Sequence, residues 1–272
     1  MRLLLIGDIV GRPGRRACAQ LIPRMIRAQQ LDCVIANAEN VSSGSGLTPA
    51  VFAKLRHYGI DACTMGDHIY KRREIMPLLQ TSDRVVRPAN YPPEAAGREI
   101  IVFETRGGVR VALISLIGRT YMNVRADCPF HAVDRLLHNL AAGVNVIIVD
   151  VHAETTSEKV ALGYHLDGRV TAVVGTHTHV QTADECVLPK GTAYITDLGM
   201  TGPYDSVLGR NKDAVVKSLI TGMPYPYNVA DGDPRLSGAI VECDPVTGRA
   251  TAITRVHERD TTPPDPADDR DE

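Results

Sequence analysis

The chain has 272 residues, of which 44% are hydrophobic, and a formal net charge of −2. That is enough apolar material for one large domain or two small ones, and without a long Lys/Arg run a nucleic-acid groove is not expected. A charged ligand would have to be drawn by something local, such as a metal ion or a small basic cluster.

The apolar stretch at the start is too short for a signal peptide, because Asp8 and Arg12 follow it. No apolar segment approaches the roughly 20 residues that span a bilayer, so a cytoplasmic protein with no membrane partner is expected. Residues 2–7 are a continuous apolar run ending in Gly-Asp, which reads as a buried strand. A helix is expected over 11–30, with Pro13 near its start and Pro23 kinking or splitting it. A strand over 32–38 follows, and Thr48-Pro49 supplies an N-cap and a first helical residue for the next helix. A strand over 61–65 and a helix over 71–80 complete a βαβαβα alternation, the pattern of a parallel sheet with helices packed on it.

The middle changes character. Residues 99–104 and 109–116 flank Arg106-Gly107-Gly108, a hairpin signal. Next come a helix over 130–142, an apolar strand over 144–151, a helix over 155–165 and a strand over 170–174. Segments 191–196, 237–243 and 250–256 read as late antiparallel strands, the last two joined by the turn 244–248. From Arg259 the chain is acidic, Pro-rich and without apolar residues, so residues 1–258 are expected to be the domain and 259–272 a disordered tail. If the late strands stack on the first sheet, the layers run helix, sheet, sheet, helix. Cys18, Cys33, Cys63, Cys128, Cys186 and Cys243 form no C-x-x-C pair, which argues against a zinc ribbon, and structural disulfides are not expected.

The chemistry lies at the strand ends, where open α/β sheets collect functional groups. The run 2–7 ends at Asp8, the second at Asn37-Ala38-Glu39-Asn40 and the third at Gly66-Asp67-His68. The run 144–149 leads to Asp150-Val151-His152, and 170–174 to Gly175-Thr176-His177-Thr178-His179. One Asp after a strand is usually a turn or cap residue, and one His usually a bonded core residue. Five such endings together crowd carboxylates and imidazoles into one cleft, which is costly without a cation. Carboxylate, amide and imidazole ligands without thiolate suit Mn, Fe or Zn. Two ions sharing a carboxylate would give the clamp used for in-line displacement at phosphorus, with an activated water attacking and a free histidine protonating the leaving oxygen. Asp150 reads as structural, turned away from His152 by strand alternation. His57, His131, His138, His165 and His257 have no partner motif. Arg12, Arg15 and Arg16 follow the first strand and could help hold phosphate, but an ordinary solvated helix face is the better reading. Asp197 and Tyr204 lie in a Gly-rich loop that could fold over the site, with a plain turn at least as good a reading. The Gly7–Gly14 stretch lacks both G-x-G-x-x-G and the Walker Lys, which excludes a nucleotide loop.

In this order the motifs resemble the calcineurin-like metallophosphoesterase superfamily. Segments 7–15, 37–40, 66–68, 175–184 and 196–207 resemble the YmdB family more closely. The resemblance implies a four-layer α/β/β/α sandwich and a di-metal phosphodiesterase acting on 2′,3′-cyclic nucleotides. It implies two metal ions, iron first, with manganese or zinc as alternatives. Carried over by position, Asp8, Glu39, Asn40 and His179 would hold one ion. Glu39, Asp67, His152 and His177 would hold the other, with Glu39 bridging and His68 as proton donor. Two positions depart from the pattern. Val10 stands where the broad superfamily has the His of Asp-x-His, a gap Asn40 would fill, and Asp67 stands where Asn is usual. That extra carboxylate should tighten a hard dication and weaken the pull on phosphate. The expected partner is a phosphate-containing small molecule, with no stable nucleic-acid complex; a homo-oligomer is left open. Three competing readings remain at this point: a phosphomonoesterase, a metal- and phosphate-binding regulator with little turnover, and a binuclear amidohydrolase. The late position of His-x-His weighs against the last.

Overall fold

The structure is a computed structural model that describes residues 1–262. The first half runs β1 (Arg2–Ile6), β2 (Asp8–Ile9), α1 (Gly11–Gln29), β3 (Cys33–Asn37), α2 (Pro49–Tyr58) and β4 (Ala62–Thr64). A 3-10 turn over Arg73–Ile75 then leads into α3 (Met76–Thr81) and β5 (Val85–Val86). The second half runs β6 (Ile100–Glu104), β7 (Arg110–Ile117), α4 (Pro129–His138), β8 (Val146–His152), α5 (Thr156–Leu166) and β9 (Ala172–Thr176). It closes with β10 (Cys186–Val187), β11 (Ala193–Ile195), β12 (Met200–Pro203), α6 (Lys212–Thr221), β13 (Pro234–Cys243) and β14 (Ala250–Arg259).

Two sheets result. In the first, β1, β3, β4 and β5 lie parallel in that order, and β13 joins β1 antiparallel with β14 beyond it. Where the chain leaves β1, β12 pairs on one side with β2 and on the other with the start of β13. The second sheet is ordered β10-β11-β9-β8-β7-β6. Its strands β7, β8, β9 and β11 are mutually parallel, with antiparallel edges.

Strand alternation sorts the core into layers. Leu4 and Ile6 of β1 pack with Cys18, Ile22 and Leu55 of the helices over the first sheet. Leu3 and Leu5 turn the other way and meet Phe103, Leu113, Ile148 and Val174 of the second sheet. Ile114, Leu116 and Val149 line the far face of the second sheet against Val133, Leu136, Leu162 and Leu166. These three apolar clusters are the seams of the expected α/β/β/α stack, and each buried Leu or Ile contributes about 1.5–3 kcal/mol. Thr48 caps α2, its Oγ1 accepting from Val51 N at 3.3 Å. No helix of the described residues is long and apolar enough to cross a membrane.

Five expectations need correction. Pro23 does not split helix α1, which runs on through it, because burial of Ala17, Cys18 and Ile22 outweighs one lost backbone bond. The expected helix over 71–80 starts as the 3-10 turn. Strand β11, expected to be antiparallel, is parallel to β9. Strand β14 passes the expected boundary at 258 and ends at Arg259, after which buried Asp260 accepts from Arg16 Nε at 2.9 Å. The tail therefore does not begin at Arg259, and residues 263–272 of it lie outside the described residues. Nor do Arg15 and Arg16 form a solvated face: Arg15 is buried and donates from Nη1 to Val41 O at 2.8 Å.

Candidate metal centre

The carboxyl ends of β1, β3 and β4 in one sheet and of β8 and β9 in the other open into one cleft. Gly7 carries the chain from β1 to Asp8 so tightly against Gly199 O that a Cβ could not fit there. Asn37 Oδ1 accepts from Glu39 N at 3.1 Å and sets the turn that aims Glu39 inward. After β4, Gly66 lies against His152 and the Glu39 carboxylate, again with no space for a Cβ. Asp67 and His68 follow, and His68 N donates to Glu39 Oε2 at 2.9 Å. After β9 the chain takes positive φ at His177 (98°) and His179 (65°), an unfavourable backbone for residues with a Cβ.

Glu39, Asp67, His152 and His177 each offer a ligand atom, and these atoms all lie within 4.8 Å of one another. His152 Nε2 is 3.0 Å from Asp67 Oδ1, 3.2 Å from Glu39 Oε1 and 3.0 Å from His177 Nδ1. On the other side of Glu39, Asn40 Nδ2 donates to Glu39 Oε1 at 3.2 Å and lies 3.4 Å from His179 Nε2. His179 Nε2 is 3.8 Å from Asp8 Oδ1. Asp8 is fully buried; its Oδ2 accepts from His177 N at 3.0 Å, while Oδ1 has no hydrogen-bond partner. An orphaned buried carboxylate oxygen facing an imidazole nitrogen is a group a cation would satisfy. The donor set therefore fits metal ions, and the cluster of Glu39, Asp67, His152 and His177 could hold one. His68 stands at the rim, its Nδ1 2.6 Å from Asn40 Oδ1 and its Nε2 3.5 Å from Asp67 Oδ2.

The charges confirm the crowding. Burial alone would raise the pKa of Glu39, but the charge and hydrogen bond of His152 outweigh it and hold the group below the usual carboxylate value. Asp67 is lowered in the same way, burial being overcome by His152, His68 and His177. His152 is fully buried, which disfavours its charged form, yet Glu39 and Asp67 raise its pKa well above the usual imidazole value. His177 goes down, through burial and then the charge of His152. The carboxylates and imidazoles thus act on one another through opposing charges in a buried cluster, and an ion binding there would take the place of that mutual compensation.

All eight residues singled out in the sequence, Asp8, Glu39, Asn40, Asp67, His68, His152, His177 and His179, lie in this cleft. The shell behind them was less visible. His152 Nδ1 contacts Thr176 Oγ1 at 2.9 Å, and Thr176 Oγ1 donates to Asp150 Oδ1 at 2.7 Å. Thr64 Oγ1 also donates to Asp150, and Asn37 Nδ2 does so at 3.3 Å. Asp150 is structural, but the expected divergence from His152 is wrong: residues two apart on a strand share a face, and both meet Thr176. Asp197 is buried beneath the His-x-His loop. Its Oδ2 accepts from Thr178 N (3.2 Å), Thr178 Oγ1 (2.8 Å) and the buried Lys159 Nζ (2.7 Å). Glu154 was missed: its Oε2 lies 3.2 Å from His177 Nε2. The only sequence signal for it was its place two residues after His152. Of the unassigned histidines, His57, His131, His138 and His257 are exposed, and His165 is paired with Asp134.

Comparison with known proteins identifies the family. The model of the YmdB-like protein family matches residues 4–256. Over 256 residues the chain is 44% identical to a 2′,3′-cyclic-nucleotide 2′-phosphodiesterase of Bacillus subtilis (strain 168), covering 94% of this chain and 96% of that one. A crystal structure of a hypothetical protein from Thermus thermophilus superposes with a TM-score of 0.89 at 40% identity, covering 95% of this chain and 99% of the other. That of a Mycoplasma pneumoniae protein described as a novel phosphatase gives 0.88 at 32% identity, covering 96% and 95%. With a family model spanning nearly the whole described fold, the chain belongs to the YmdB-like family of the metallophosphoesterase superfamily.

Proposed function

We propose that the chain is a metal-dependent phosphodiesterase that opens 2′,3′-cyclic nucleotides in a two-ion site in the cytoplasm. The observation that carries this reading is the cluster of Glu39, Asp67, His152 and His177 beside the orphaned Asp8 Oδ1. The 44% identity to the Bacillus subtilis phosphodiesterase supports the substrate class. Asp8, Glu39, Asn40 and His179 would hold one ion and Glu39, Asp67, His152 and His177 the other. Iron is the metal proposed first, with manganese or zinc as substitutes. When bound, such a pair supplies charge neutralisation at the phosphoryl oxygens and an acidified water as nucleophile.

The chain's own residues do the rest. Asn40 Oδ1 accepts from His68 Nδ1 and keeps a second lone pair for an ion. That bond places one proton on Nδ1 and leaves Nε2 as the nitrogen that gives the transferable one. As water oxygen bonds to phosphorus, the P–O bond to one ribose oxygen breaks, and His68 Nε2 protonates that oxygen. The product is a nucleoside monophosphate.

His68→Ala should lower kcat by about 10²–10⁴-fold, the usual contribution of a positioned proton donor, with bound metal retained. The check is turnover of 2′,3′-cyclic AMP together with metal analysis of the same preparation; unchanged turnover removes His68 from the role. Phosphomonoesters are a second substrate class, favoured by the phosphatase description of the Mycoplasma pneumoniae protein. Rates on p-nitrophenyl phosphate and bis(p-nitrophenyl) phosphate separate the two.

A further inference from the structure

The turn that carries Asp67 and His68 continues directly into an aromatic residue. Tyr70 lies two positions after His68 and is 39% exposed. It is not free to wander. Its hydroxyl donates to Ala96 O at 2.6 Å, and Tyr91 backs it with ring centroids 6.2 Å apart and planes 29° from parallel. Tyr91 is itself buried. Tyr91 packs in one apolar cluster with Met65 and Ile69, the residues on either side of the Gly66–His68 turn. One tyrosine is thus fixed behind the other in the turn that follows His68, with part of the outer residue open to solvent.

The reaction gives this wall a side. In-line displacement puts the entering water and the leaving oxygen on opposite sides of phosphorus. His68, as proton donor, marks the leaving side. The leaving group is a ribose oxygen, and the base is attached to the same ribose, next to C2′. Sugar and base therefore lie on the side of His68, and Tyr70 follows His68 by two residues in the same turn, which is closed by Ile69 N to Gly66 O at 3.3 Å and Lys71 N to His68 O at 3.0 Å.

The geometry points to Tyr70 as the stacking wall of a nucleobase subsite beside His68, taking the aromatic base of a nucleoside 2′,3′-cyclic phosphate. The inference rests on the phosphodiesterase reading and adds the part of the substrate that is recognised. A ring already held by Ala96 and Tyr91 loses little freedom on binding. Stacking tolerates any base, because every base has a π-face, so the subsite selects nucleosides over other cyclic phosphates rather than one base over another.

The test compares 2′,3′-cyclic AMP with glycerol 1,2-cyclic phosphate, which has no base, on the Mn²⁺-loaded full chain. In Tyr70→Leu the ratio of kcat/KM for the nucleotide to that for the glycerol ester should fall about ten-fold, within the range of one base–aromatic stack, and mainly through KM. Tyr70→Phe keeps the ring and should keep the ratio. An unchanged ratio in Tyr70→Leu overturns the subsite. If the wild type cleaves neither ester, the phosphodiesterase reading fails separately. Calorimetric binding of adenosine 3′-phosphate then decides the subsite: about ten-fold weaker binding by Tyr70→Leu supports it, and equal binding overturns it.

Discussion

His152 turns its Nδ1 to Thr176 Oγ1, and Thr176 gives its own hydrogen to Asp150. With Nδ1–H donating, Nε2 keeps its lone pair toward Glu39 and Asp67, the tautomer a metal ligand needs. Asp150→Ala should therefore weaken metal binding by about 10–100-fold, the usual cost of losing such a support, measured by competition with a chromophoric chelator; wild-type affinity would show that Asp150 only packs. The metal-stripped protein has a second expected behaviour. Glu39 and Asp67 have folded-state pKa values below their unfolded ones. Their contribution to stability is present above the ordinary carboxylate pKa of about 4 and is lost as pH falls through the folded values. Urea midpoints of apoprotein between pH 6 and pH 3 should fall with acid, and a flat profile would contradict the coupling. The ligands were legible in the sequence because each ends an apolar run. Asn37, Thr64 and Thr176 were not, because their shared partner Asp150 is 113, 86 and 26 positions away.

Helix α5 acts on the His-x-His loop through one buried ion pair. Lys159 reaches Asp197, and Asp197 in turn holds Thr178, between two histidines with positive φ. Both charged groups are almost completely buried, so removing one leaves the other without its counter-charge. Lys159→Met should cost about 3 kcal/mol in urea unfolding, and because the loop carries His177 and His179, metal affinity should fall with it. A stability loss under about 1 kcal/mol would mean that the bonds from Thr178 and from Gly199 N, which donates to Asp197 Oδ1 at 2.8 Å, suffice for Asp197. At this scale the long elements were readable from their periodicity. Strands β2, β5, β10 and β12 were not, since two to four residues carry too little pattern. The direction of β11 was not either, because neighbouring strands, not local sequence, decide it.

Across the whole molecule, the cleft draws on both sheets: Glu39 and Asp67 follow strands of one, His152 and His177 the ends of strands of the other. A cation there ties the two layers together and binds the folded state alone. At a free metal concentration of 100 Kd this adds about 2.7 kcal/mol, or roughly 5–10 °C in Tm for a chain of this size. Thermal melts with Mn²⁺ and with EDTA should differ by that amount, and identical melts would place the ions outside the folded core.

Strand β1 finds its antiparallel neighbour at the far end of the chain, with Arg2 opposite Glu242 and Ile6 opposite Gly238. Strand β13 also holds β12, the neighbour of Asp8. On a ribosome, the segment that delivers Asp8 emerges long before β13 and must wait for it before its sheet can close. Such distant pairings form slowly, so during synthesis Asp8 stays unpaired until β12 is made, and β12 is itself held only once β13 follows.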